Sequence, residues 1–148
     1  MLTADDLLSF ARQLRGTLVQ PEDAGYDAAR AVYNAMIDRH PRAIAYCANV
    51  ADVMLGVAFA RENGLLLAVR GGGHNGGGLG VCDDGLVLDL SRMKGLRIDP
   101  LTRTAQVEAG CLLADVDHAR AQAAVDRLGD KRYVATAIDA TNISAIGR

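Results

Sequence analysis

Six of the sixteen glycines in this 148-residue chain fall in one stretch, Gly71-Gly72-Gly73-His74-Asn75-Gly76-Gly77-Gly78, directly after Arg70. Glycines accept positive φ and let a backbone come close to a ligand. Successive amides without side chains can gather round an anion as a nest. Arg70 either adds positive charge or is a solvated surface side chain. His74 has neighbours with no side chains to crowd it, and imidazole is a competent nucleophile near neutral pH. The stretch suits something flat or phosphorylated. The plainer alternative is a flexible turn between strands.

Gly71, Gly73 and Gly76 also fit G-x-G-x-x-G. As a nicotinamide-dinucleotide fingerprint, that pattern needs a strand before it and a helix opening at it, so that the pyrophosphate meets the helix N-terminus. The strand is present. Residues 77–84 carry too many glycines and too little apolar pattern for the helix, so the motif fails its context.

The elements around the stretch can be read from periodicity. Thr3 caps a helix with Asp6 three residues on, and Leu7, Leu8, Phe10, Ala11 and Leu14 form its apolar stripe. Thr17 to Gln20 reads as a short strand. Tyr26 to Met36 reads as a short helix or helical turn. Ala43 to Cys47 is a short apolar run suited to a buried strand. Asn49 caps a helix with apolar positions Val50, Val53, Val57, Ala58 and Ala60, and Gly64 ends it. Leu65 to Val69 is a second buried strand. Strand, helix and strand with short links make a βαβ crossover with parallel strands. Beyond the glycines, Gly85–Leu90, Leu96–Asp99 and Thr104–Ala109 read as strands. Leu112 to about Leu128 reads as a helix.

Composition bounds the rest. Half of the residues are hydrophobic, 23% are charged and the net charge is −2. This is a soluble globular domain with room for a core, not a disordered chain. Nothing pulls it toward nucleic acid. No apolar run approaches the ~18–20 residues that span a bilayer, and the acidic N-terminus is unlike a signal peptide. Three cysteines with no CxxC give neither a zinc site nor a redox pair, and read as buried or incidental thiols. No metal site is expected. The expected location is the cytoplasm.

Longer blocks then carry a resemblance. Val69-Arg70-Gly71-Gly72-Gly73-His74-Asn75 and the run from Cys82 through Leu86-Val87-Leu88-Asp89-Leu90 to Lys94 resemble the FAD-linked oxidoreductases of the berberine-bridge-enzyme-like group. That group sits within the vanillyl-alcohol-oxidase, or p-cresol-methylhydroxylase (PCMH)-type, flavoprotein superfamily. Tyr26 to Asn34, Arg39-His40-Pro41, Ala51-Asp52-Val53, Asp99-Pro100, Val107-Glu108-Ala109-Gly110 and Asp115-Val116-Asp117 extend the resemblance over roughly residues 16 to 120.

The resemblance implies an α+β, PCMH-type FAD-binding fold, with a small sheet carrying the βαβ unit and a second mixed sheet. It implies FAD as cofactor, held by Arg70, Gly71, Gly72, Gly73, His74, Asn75, Gly76 and Gly78. The matching histidine of the family, here His74, commonly bonds covalently to the flavin 8α-methyl carbon. The implied activity is oxidation of a small alcohol, sugar or amine-type substrate, with oxygen as acceptor.

The resemblance also sets expectations about extent. Residues 1–36 are expected as a helical lead-in, 37–120 as an incomplete FAD-binding domain, and 121–148 as a divergent tail, so that the fold is C-terminally truncated. On that view the chain is alternatively a non-catalytic flavin-binding fragment. No cysteine follows Cys111, so no second, cysteine-borne flavin bond is expected. Asp115, Asp117 and His118 read as a solvated helix face, and Tyr133 as a packed or surface residue. An apolar surface left exposed would lead to self-association. The substrate itself is not indicated.

Overall fold

The structure, a computed structural model, describes residues 2–99, 101–102 and 104–111. The expected helix from Leu112, with Asp115, Asp117 and His118, lies outside the described residues, as do Tyr133 and the tail. The chain divides into two compact units, Met1–Met93 and Lys94–Arg148.

The first unit holds α1 (Ala4–Gln13), β1 (Thr17–Val19), α2 (Tyr26–Arg30), β2 (Ala43–Tyr46), α3 (Val50–Glu62), β3 (Leu67–Arg70) and β4 (Leu86–Asp89). Thr3 and Asp6 close a reciprocal capping box on α1. The Asn49 side chain accepts from the amides of Ala51 and Asp52 at the start of α3. Helix α2 is a single turn, shorter than the span to Met36, because Ala31 is already extended.

The sheet order is β1-β2-β4-β3. β1 runs antiparallel to β2, and β4 lies parallel to both β2 and β3. The βαβ unit therefore leaves a gap between its two strands, and β4 fills it. This first sheet is the mixed one. In the second unit β5 (Leu96–Asp99) and β6 (Thr104–Val107) form an antiparallel pair.

Strand β4 is buried on both faces, which is why Leu86-Val87-Leu88 is a continuous apolar run. Leu86 and Leu88 join Ala43, Ala45 and Cys47 of the β2 segment, together with Leu7, Phe10 and Leu14, in one core. Val87 and Ile44 point into the opposite core with Tyr26, Ala29, Ala68, Val81 and Cys82. Residues of the expected lead-in thus build the same core as the strands.

Helix α3 turns only part of its expected apolar face to the core, through Val53 and Ala60. Its buried residues are Asp52, Gly56 and Ala60, while Val50 and Val57 are exposed. The cause is a close approach: a Cβ at Gly56 would stand 2.4 Å from Leu88 Cδ2. The contact face centres on the glycine, and the larger apolar side chains Val50, Met54 and Val57 are left outside.

Candidate functional site

Parallel β3 and β4 must be joined by a segment that travels back along the sheet. Residues 71–85 do this without a helix, through turns at 76–77 and 79–80. Val81 and Cys82 from this segment pack on Val87 and Ile44. The helix that a nicotinamide fingerprint requires is absent from residues 77–84, so that reading is set aside.

The glycine stretch opens at the carboxyl end of β3, beside the carboxyl ends of β2 and β4. Ligands of open α/β sheets commonly bind on that edge. A cavity of about 250 Å³ lies there, lined by Ala28 to Tyr33, Tyr46, Arg70, Gly71–Gly73, Asp89 and Ser91, except Arg30. Sites for drug-sized ligands run from about 300 Å³ upward, so this cavity suits one portion of a dinucleotide.

Arg70 is neither a solvated side chain nor a free charge. It is buried, and its Nε donates to Asp89 Oδ2 at 2.7 Å. Its remaining N–H groups donate to the carbonyls of Ala29 and Ala31 and, at longer range, Arg30. These are the carbonyls at the C-terminal end of α2, which otherwise lack partners. The guanidinium therefore caps α2 from below and fixes it beside the glycines.

The groups of the loop that are free to meet an anion are backbone amides. The amides of residues 71–77 donate to no acceptor among the described residues. A Cβ on Gly76 would meet nothing within 4 Å, and one on Gly73 would meet only Val32 Cα at 4.0 Å. Protein packing does not require glycine at these two positions, though Gly73 also has φ +71°. Open space over unpartnered amides fits the pyrophosphate of a dinucleotide cofactor.

The other predicted residues divide by role. Asn75 Oδ1 accepts from the Leu79 amide at 3.1 Å, and the Asn75 carbonyl accepts from Gly78. Gly78 has φ +74°, and a Cβ there would press to 2.8 Å from Ile37 Cγ2. These two shape the loop. His74 is exposed, with its ring centroid 5.8 Å from that of Tyr33. Tyr46 and Ser91 were not singled out from sequence, although they line the cavity. The Arg92 guanidinium lies 4.5 Å above the Tyr46 ring and bonds Thr17.

Two of the three thiols are withdrawn from solvent. Cys47 and Cys82 are buried. Burial, aided by Asp52 and Asp89, pushes the Cys47 thiol up to about 11. Burial also raises that of Cys82. No group of metal-ligating side chains occurs among the described residues.

Residues 41–128 match the model of a family described as FAD binding domain. The chain belongs to that family. The match runs past residue 120, where the resemblance read from sequence stopped. The chain is 35% identical over 103 residues to (R)-6-hydroxynicotine oxidase of Paenarthrobacter nicotinovorans, covering 70% of this chain and 22% of that protein. It is 32% identical over 93 residues to berberine bridge enzyme-like 9 of Arabidopsis thaliana, covering 62% and 18%. Among solved structures, 6-hydroxy-D-nicotine oxidase from Arthrobacter nicotinovorans superposes with a TM-score of 0.69 at 33% identity, covering 76% of this chain and 24% of that one. Physcomitrella patens BBE-like 1 gives 0.69 at 29%, covering 79% and 26%. The family is thus the berberine-bridge-enzyme-like, FAD-linked one, and the fold is PCMH-type with FAD as cofactor. The chain spans about a quarter of the length of these relatives.

Proposed function

We propose that this chain is the FAD-binding part of a flavin-dependent oxidoreductase acting on a small alcohol, sugar or amine-type substrate, with oxygen as electron acceptor. The observation that carries the assignment of the site is the row of amides at residues 71–77 that donate to no acceptor among the described residues, with open space at Gly73 and Gly76, in a chain of an FAD-binding family. Bound FAD would supply the two-electron redox chemistry. Gly71, Gly72 and Gly73 line the cavity and, with Gly76, would receive the pyrophosphate through their amides. Arg70 would hold the cradle in shape. His74 would present its imidazole for a covalent link to the flavin. Asp89 is committed to Arg70 and the Ser91 amide, so it is no free base at this cavity. This reading gives the described residues cofactor binding and assigns substrate chemistry to other parts of the whole protein.

The test is an absorbance spectrum of the chain after incubation with FAD, before and after acid precipitation. Yellow colour in the pellet is expected, and His74→Ala should remove it from the pellet while leaving bound FAD before precipitation. No FAD bound by the wild-type chain would overturn the reading.

Two further expectations belong to the same proposal. Among the described residues no helix is long and apolar enough to cross a membrane, and unpaired thiols fit a reducing compartment such as the cytoplasm. The exposed Val50, Met54 and Val57 form an apolar stripe on α3. Sizing chromatography at rising concentration should show self-association, weakened in Met54→Lys. A monomer at every concentration would contradict this.

A further inference from the structure

His74 stands at the middle of a short arch whose two ends are held by consecutive residues of another segment. The Tyr33 amide donates to the Gly73 carbonyl at 3.2 Å, one residue before His74. The Asn34 side chain donates from Nδ2 to the Gly76 carbonyl at 3.0 Å, two residues after it. Asn34 Oδ1 is itself fixed by the Met36 amide at 3.1 Å, so the donor is aimed. The Tyr33 ring then lies against the His74 ring, 5.8 Å between centroids and tilted by 56°. That is within the range of aromatic pairs.

Nothing in hydrophobic burial explains this arrangement. Tyr33 is 79% exposed, and Asn34 is only half-buried. Tyr33 contributes little to a core and its ring faces the one aromatic side chain of the loop. The segment itself is anchored upstream by α2, whose end the buried Arg70 holds. It is anchored downstream by Ile37, which packs over Gly78. The clamp is therefore tied at both ends to the scaffold that carries the loop.

We propose that Tyr33 and Asn34 are positioning residues that hold the 73–76 arch and orient the His74 imidazole, through two bonds to the carbonyls flanking His74 and one ring contact. The inference rests on the reading of residues 71–77 as the FAD cradle. A glycine-rich arch is costly to order, because glycine loses the most conformational freedom on being fixed. A clamp that orders it in advance raises affinity by lowering that cost at binding. It also restricts the imidazole to one approach, where small misplacements are expensive.

The experiment is proton NMR of the cofactor-free full chain, following the His74 ring protons, together with FAD titration of the same samples. Ring currents from Tyr33 should displace the His74 ring protons from the positions of a free histidine. Tyr33→Phe should keep the displacement and Tyr33→Ala should lose it. Asn34→Ala should reduce it and broaden the amide signals of residues 73–76. Both alanine variants should weaken FAD binding by about ten-fold, with Tyr33→Phe within about two-fold of wild type. Their thermal unfolding should be unchanged, since both sites lie outside the core. His74 protons at free-histidine positions in the wild type, or unchanged in Tyr33→Ala, would overturn the inference. FAD failing to bind a wild-type chain whose His74 protons are displaced would overturn the cradle reading and leave the clamp standing.

Discussion

Arg70→Met is expected to cost about 3–5 kcal/mol of folding stability and to abolish FAD retention. The substitution keeps an unbranched apolar stem in place of the arginine's and removes the charge and the donors. Asp89 then remains buried with only the Ser91 amide as partner. The carbonyls of Ala29 and Ala31 lose their donor as well. An unpaired buried carboxylate is the largest of these losses, because its desolvation is no longer offset. Helix α2 loses its cap, and the wall of the cavity made by Ala28, Ala29 and Ala31 moves away from the glycines. Arg70→Lys should recover only part of the loss, since one ammonium cannot reach both the carboxylate and the helix end. The pair can be separated from the cap by the double variant Arg70→Met with Asp89→Leu, which should regain stability over Arg70→Met without regaining FAD. Urea unfolding monitored by circular dichroism gives these values. A single variant within about 1 kcal/mol of wild type would show that the pair is solvated after all.

The ion pair also marks where sequence reading stopped. Arg70 and Asp89 each stood at the end of a strand legible from its apolar run. Their pairing depends on β4 lying next to β3, which no local pattern specifies. Read from sequence, the βαβ unit makes β2 and β3 parallel without saying what lies between them; only tertiary contact inserts β4 there. The caps at Thr3 and Asn49 were legible because they act over three residues. The face of α3 was legible only in part: Val53 and Ala60 do face the core, but the closest approach is at Gly56 and Asp52 is buried beside it, while Val50 and Val57 stay exposed. Composition alone offered two readings of the glycine loop, a segment able to gather round an anion or a plain turn between strands. The division of its residues into cradle, loop-shaping and exposed groups needed the positions of Ile37, Tyr33 and Leu79. Those residues come from beyond the motif or from its far edge.

Asp52 gives the second large effect, and it makes the fold acid-labile in a defined direction. Its side chain is buried beneath α3. Its carboxylate accepts from the amides of Arg15 at 2.9 Å, Gly16 at 3.0 Å and Ala48 at 2.8 Å. One side chain thereby ties the link between α1 and β1 to the turn between β2 and α3. Burial pushes the carboxyl up, but the three amides together outweigh it and hold the group below the ordinary value of 3.8. A carboxyl whose value is depressed on folding stabilises the folded state above its unfolded value. That stabilisation disappears as pH falls through the folded value. Stability should therefore hold through the neutral range and decline below pH about 4. Asp6, Asp38 and Asp99, all held low by hydrogen bonds, add to the same slope. The difference between wild type and Asp52→Ala isolates the Asp52 share. Asp52→Ala should cost about 1.5–3 kcal/mol at pH 7, because three part-buried backbone amides lose a shared charged acceptor together. The gap should narrow as pH drops below 4, where the wild-type carboxylate is itself being neutralised. Asp52→Asn should lie between the two at pH 7, since its amide retains one acceptor but presents a donor toward the other amides. A gap that stayed constant from pH 7 to pH 3 would mean that packing volume, not charge, is what Asp52 contributes. Because Ala48 follows Tyr46 by two residues, loss of this tie should also loosen the cavity wall at the carboxyl end of β2. FAD binding is then expected to weaken at low pH together with folding, and not before it.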